Sequence, residues 1–270
     1  MFVWLLTPGL LYAGIDPSET AGSRPAALGY AYTAVNGEFW SLFHNPAGIA
    51  GIKNPGSGIF FSRYFNLPQL TRSQAGFVLP TGENQAAGLS VRSFGFDAWR
   101  ESALSFAYAV SFFGKISLGT RVSWLSLATP DAGRHSTFLS AVGTQVKVND
   151  QVFLGFAIAN ANQAALRGTF AKAEISSVFS AGLCFRPSEK VLLSADVKKP
   201  LDFPVSWAGG LEYSPGAAIR LRCGFTTYPL SFCGGLGLEM DKIDIDFSLN
   251  LHESLGYTPS LSLNYHFLKN

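Results

Sequence analysis

The last stretch of the chain, from Lys242 to Phe267, alternates almost without exception. Ile243, Ile245, Phe247, Leu249 and Leu251 fall on one side, with Asp244, Asp246, Ser248, Asn250 and His252 on the other. Period-two alternation of this kind predicts a strand with one apolar and one polar face. After a turn through Glu253-Ser254-Leu255-Gly256 the pattern resumes, with Leu261, Leu263, Tyr265 and Phe267 opposed by Ser260, Ser262, Asn264 and His266. The same signature recurs upstream. Leu104, Phe106, Tyr108 and Val110, then Ile116, Leu118, Val122 and Trp124, and later Phe179, Ala181, Leu183 and Phe185 form apolar sets. Small residues such as Ser105, Ala107, Ser117, Gly119 and Ser123 lie between them.

Strand-like runs are expected at 56–63, 72–80, 85–94, 101–111, 115–126, 136–147, 151–160, 174–186, 190–198, 203–213, 217–226, 230–239, 242–252 and 257–267, about fourteen in all. Their length, near ten residues, is that of a tilted membrane strand. The connections tend to alternate. Tight turns such as Thr81–Asn84, Phe112–Gly114 and Val148–Asp150 interleave with longer loops at 64–71, 95–100, 127–135 and 161–173, although the contrast fades towards the C-terminus. Short turns at one end and longer loops at the other mark an outer-membrane barrel, with the turns towards the periplasm. An even strand count puts both termini on that side.

Composition separates this reading from a soluble β-sandwich. Charged residues make up 14% of the chain, where about 25% is usual in soluble domains. With 47% hydrophobic residues there is still no run of about 18 apolar residues, so helical spans are excluded. The expected fold class is therefore an all-β, transmembrane, up-and-down antiparallel β-barrel of about 14 strands. Aromatic residues near strand ends, Trp99, Trp124, Tyr213, Tyr257, Tyr265 and Phe267, suit interfacial girdles. In the sandwich alternative they would be core residues.

Two segments precede the strands. Residues 1–13 are apolar and end in Leu11-Tyr12-Ala13, as in the hydrophobic region and cleavage site of a signal peptide, but they lack a basic start. Either the true start lies upstream or the segment is a simple apolar N-terminus. Residues 14–55 do not alternate. Trp40 and Phe43 share a helical face, and Asn45 can cap a short helix beginning at Pro46, with Ala47 and Gly48 completing the turn. A compact aromatic segment ahead of a strand array, the barrel occupying 56–267, suits the barrel interior as a plug, or hatch.

Candidate chemistry is sparse. A net charge of +2 argues for no nucleic-acid partner. The four histidines, at 44, 135, 252 and 266, accompany no nucleophile at defined spacing, so no catalytic residue, enzyme activity or cofactor is assigned. Gly-rich pieces such as Gly234–Gly237 lie within strands rather than ahead of a helix, and Asp131 is the only carboxylate of its loop, so neither a phosphate loop nor a metal site is expected. Cys184, Cys223 and Cys233 form no metal pattern and are taken as packing residues.

One charge arrangement follows from pairing apolar faces. Phe225 opposite Phe232 and Leu221 opposite Leu236 put Arg220 beside Gly237 and Arg222 beside Gly235. Leu238 opposite Ile245 then puts Gly237 beside Asp246. With strands about 4.8 Å apart, an inward Arg220–Asp246 contact over Gly237 is expected, as wall scaffolding or as a ligand site. Cys223 and Cys233 fall on opposite faces, which disfavours a disulfide.

Gly22–Val35, followed by His44-Asn45-Pro46-Ala47-Gly48-Ile49-Ala50, resembles the N-terminal segment of PorV/PorQ-type and FadL-type outer-membrane proteins, and Leu255–Phe267 is similar to their closing strand. The resemblance implies a fourteen-stranded barrel with an internal hatch carrying Asn45-Pro46-Ala47. The FadL-type likeness implies a passive channel for hydrophobic or small organic compounds. The PorV/PorQ-type likeness implies an accessory component of a protein secretion system with secreted-protein partners. A structural barrel in contact with outer-membrane lipid is the third possibility.

Overall fold

The computed structural model describes residues 17, 20–130, 133–167 and 172–267. The expected signal peptide at 1–13 and the loop residue Asp131 lie outside this set. Sixteen strands run β1 (Gly56–Arg63), β2 (Thr71–Gly82), β3 (Gln85–Phe96), β4 (Trp99–Phe112), β5 (Ile116–Thr129), β6 (Gly133–Lys147), β7 (Val152–Ala159), β8 (Ala165–Arg167), β9 (Lys172–Glu174), β10 (Val178–Ser188), β11 (Val191–Pro200), β12 (Ser206–Tyr213), β13 (Ile219–Thr227), β14 (Leu230–Glu239), β15 (Ile243–His252) and β16 (Gly256–His266).

Fourteen of these close into one antiparallel barrel, in which β1 pairs with both β2 and β16. Closure leaves no unpaired sheet edge. Strands β8 and β9 pair only with each other, as a hairpin in the connection between β7 and β10 that the sequence pattern marks as loop. The expected registers are present: Arg220 faces Gly237, Arg222 faces Gly235, and Gly237 faces Asp246.

Alternation sorts the side chains as a lipid-facing wall requires. Phe106 is 53% exposed and Phe232 62%, while Ser105, Ser117 and Ser123 are buried in the lumen. Apolar residues this exposed on every barrel strand cannot form a sandwich core. They form a continuous outer surface far larger than the few hundred Å² of apolar patch that soluble monomers show, with backbone groups satisfied by closure. No helix among the described residues is long and apolar enough to cross a membrane. Trp99 departs from the girdle expectation. It shares parity with Glu101 and Ala103, donates from Nε1 to Glu101 Oε1 (3.1 Å), and packs against an inner apolar cluster.

The ends of β1 and β16 define one rim, the terminal end, where Phe267 N–H donates to the Pro55 carbonyl. Inside the wall lies the N-terminal segment. Helix α1 (Ser23–Ala27), helix α2 (Ser41–His44) and a 3₁₀ turn at Pro46–Gly51 form its regular parts. Tyr32, Trp40, Leu42, Phe43 and Ile49 are each no more than 1% exposed and form its core together with wall residues such as Phe60, Val78 and Ala107.

Candidate functional site

The inner face of β5 gives the contents of the lumen level by level. One step in from Ser117 at the terminal end, Gly119 lies against the Pro46-Ala47 backbone, where a Cβ would sit 2.4 Å from Pro46 C and Ala47 N. One step on, Arg121 donates from Nη1 to the Leu42 and Phe43 carbonyls at 2.9 and 2.8 Å, satisfying two acceptors that the short helix α2 leaves open. Ser123 follows, bonded to Ser105 at 2.8 Å. Above it, Leu125 and Leu127 join Ala103, Leu139 and two residues of the β7–β10 connection, Leu166 and Ile175, in a second apolar cluster. The far end on this side therefore carries an apolar cluster beside the buried Arg92–Glu101 pair, and aromatic residues of the segment lie below it.

Asn45 sits where the segment packs against β6 and β7. Its Oδ1 accepts from Ala47 N–H at 3.1 Å, capping the 3₁₀ turn whose first residue is Pro46. Its Nδ2 donates to the Thr33 carbonyl at 2.7 Å and points at the carbonyls of Thr144 and Phe156, 3.2 and 3.4 Å away on β6 and β7. Gly143 makes room for this, since a Cβ there would fall 1.9 Å from Asn45 Oδ1. Gln145 adds bonds to the Thr33 and Val35 carbonyls, both 3.0 Å. Gly48 belongs to the same turn, its carbonyl accepting from Gly37 N–H. Trp40 and Phe43 pack together with ring centroids 5.8 Å apart, and Trp40 also meets Phe60 of the wall.

The opposite side of the segment is held by charge. Arg24 grips Glu212 of β12 through Nε and Nη2, both 2.8 Å, and reaches Glu38 through Nη1 at 2.7 Å. Arg222 of β13 donates from Nε to Glu212 at 2.6 Å and from Nη1 to Asp246 Oδ1 at 2.7 Å. Burial works against the Arg24 charge, but Glu212 and Glu38 outweigh it and hold the guanidinium pKa well above its ordinary value. Burial likewise raises the Tyr32 phenol above its usual range. Further along, Asp196 of β11 accepts from the N–H groups of Tyr32 and Thr33 and from Thr33 Oγ1, at 3.0, 3.1 and 2.6 Å.

The expected Arg220–Asp246 contact is corrected by this arrangement. Asp246 takes Arg222, while Arg220 turns to Glu239 and to Ser214 Oγ. Gly237 is the floor over which the Arg222–Asp246 pair passes: a Cβ there would meet Arg222 Nη1 and Asp246 Oδ1, each at 2.6 Å. The expected glycine gap is thus used, but diagonally. Arg222 pairs with Gly235 at its own level and reaches two residues along the strand to Asp246. Sequence reasoning missed Glu212 and Arg24. Glu212 could have been found by carrying the register across Ser214-Pro215-Gly216, because it faces Arg222 directly. Arg24 lies 188 residues away from Glu212 and gives no local signal.

Two recesses open towards the terminal end, of about 310 and 550 Å³. Both are lined by Arg24, Glu38 and Arg220. A third depression, of about 560 Å³, lies on the outer face between Leu118, Val142, Phe156 and Phe179.

At the level of sequence, no family model and no curated protein matches the chain. Solved structures do. A FadL homologue of Pseudomonas aeruginosa superposes with a TM-score of 0.69 at 13% identity, over 92% of this chain and 99% of that one. The architecture is that of the FadL-type barrels. The toluene transporter TbuX of Ralstonia pickettii (TM-score 0.68, 13% identity, 93% and 99% covered) and the toluene transporter TodX of Pseudomonas putida (TM-score 0.68, 11% identity, 93% and 100% covered) are similar to the same extent. At such identities the likeness establishes the fold, and the side chains of this lumen must speak for themselves.

Proposed function

We propose that the protein is an outer-membrane channel through which hydrophobic or small organic compounds pass, with the N-terminal segment as its hatch and both termini in the periplasm. The observation that carries this reading is the order of layers along the β4–β6 side of the lumen. Leu125, Leu127, Leu139, Leu166 and Ile175 form an apolar patch at the far end beside the buried Arg92–Glu101 pair, the aromatic face of Trp40 and Phe43 lies below, and polar recesses follow at the terminal end. An apolar solute would partition into the first layer, displace the second and be released into water at the third. The fold shared with hydrocarbon transporters supports the same assignment.

Uptake of radiolabelled toluene and of a medium-chain alkane by Gram-negative cells expressing the full chain tests the proposal. Uptake should exceed that of cells lacking the protein and should fall when Leu125 and Leu139 are both replaced by aspartate. Equal uptake with and without the protein would overturn it.

A further inference from the structure

Glu212 stands where the segment meets the wall. Its two oxygens receive Arg24 as a fork, and Oε2 also receives Arg222. Glu38 and Asp246 close the row at either end, so that carboxylate and guanidinium alternate through five groups: Glu38, Arg24, Glu212, Arg222 and Asp246. Arg186 of β10 adds a third guanidinium 3.9 Å from Glu38 at the open end of the row, and Glu212 is the one carboxylate of the row held between two largely buried guanidinium groups. Without its charge, two neutral pairs remain, Arg24–Glu38 inside the segment and Arg222–Asp246 inside the wall. Neutralising Arg222 instead would strand Asp246, buried, with its guanidinium partner gone. Glu212 therefore couples two units that are each electrically complete.

The other face of the segment has no such joint. There, backbone lies on backbone at Gly119 and Gly155, the Asn45 side chain lies over Gly143, and carbonyls of the segment are bonded by Arg121 and Gln145. Moving that face would leave buried acceptors unsatisfied, whereas the ionic face borders the two recesses, with Arg24 and Glu38 of the segment and Arg220 of the wall between them.

We infer that Glu212 is the latch of the segment: α1 parts first from β12–β15, swinging about the Asn45–Ala47 turn, and the two recesses merge into one passage as Arg24 and Glu38 leave together. The inference rests on the channel reading above, as the gating of that same lumen.

The test uses the full chain in lipid vesicles, with Cys184, Cys223 and Cys233 replaced by serine and one probe cysteine at a time, Ser23→Cys in α1 or Ala47→Cys at the turn. A membrane-impermeant charged maleimide reads their accessibility. Glu212→Gln should raise the labelling rate at Ser23→Cys about tenfold, the scale of a local opening equilibrium, and leave Ala47→Cys unchanged. An equal rise at both positions, or none at Ser23→Cys, overturns the latch. Should Glu212→Gln fail to fold, the Ser23→Cys/Ser260→Cys variant serves, because these hydroxyls lie 3.1 Å apart. Its oxidation should abolish toluene uptake and its reduction restore it, and uptake undiminished by a formed disulfide overturns the latch. A protein that labels as expected but carries no toluene in any form would refute the channel and not the latch. One that carries toluene but labels alike at both probes would refute the latch alone.

Discussion

The β5–β7 side and the β12–β15 side hold the same segment by different physics. On the first, side-chain amides and the Arg121 guanidinium meet main-chain carbonyls, and glycine lets the two backbones touch, as Gly224 also does under Leu28 and Gly29 on the second. Such contact is short-ranged and has one good geometry, so it fixes position. On the second, alternating charges span from α1 to β15, and charged groups keep an alternative partner when one bond breaks. A molecule that must hold a plug and also release it benefits from both: a face that defines the closed position, and a face whose separation leaves no lone buried charge.

The largest expected effect breaks the ionic side at its wrong place. Arg222→Met leaves Asp246 buried without its cation and should destabilise the barrel by about 4 kcal/mol, read from urea-titrated folding into vesicles. Glu212→Gln in the same assay should lose well under half of that, and equal losses would refute the account of two complete pairs. On the neutral side, Gly143→Val drives a side chain into Asn45 and should cost about 3 kcal/mol, seen as a lowered midpoint. Asn45→Ala removes a cap and the bond to the Thr33 carbonyl at once, for about 2 kcal/mol. At the small end is the exposed turn after β6, where Lys147 Nζ lies 2.7 Å from Asp150. The hydrogen bond from Lys147, then its charge, lowers the Asp150 pKa. A depressed carboxylate favours the folded state above its unfolded pKa and loses that contribution as pH falls through the folded value. Lys147→Ala should therefore shift the Asp150 titration, followed by NMR, to higher pH and leave the folding midpoint unchanged.

Alternation made the barrel legible residue by residue. It set Leu221 against Leu236 and Leu238 against Ile245, and those registers are the observed ones. Trp99, expected in the girdle from its place near a strand end, lies inside instead, as its parity with Glu101 requires. Long side chains escape such reasoning. Arg220 and Arg222 share a face and differ by one step of the strand, and which of them reaches Asp246 depends on the slant of the wall and on Glu239 and Glu212 competing for them. The hairpin β8–β9 was hidden for a different reason: two three-residue strands carry too few positions to show a period.

By itself the sequence determined the lipid-facing side of its clearly alternating strands, how many strands close the wall and which residues are opposed across the two turns from β13 to β15. All of these follow from a two-residue period and short-range pairing. The tertiary structure alone decided how the first part of the chain sits within the wall, because Arg24 meets Glu212, and Asn45 meets Thr144 and Phe156, only after closure brings residues about a hundred or more apart in sequence to one point. No local pattern encodes a contact whose partners are set by the shape of a closed ring.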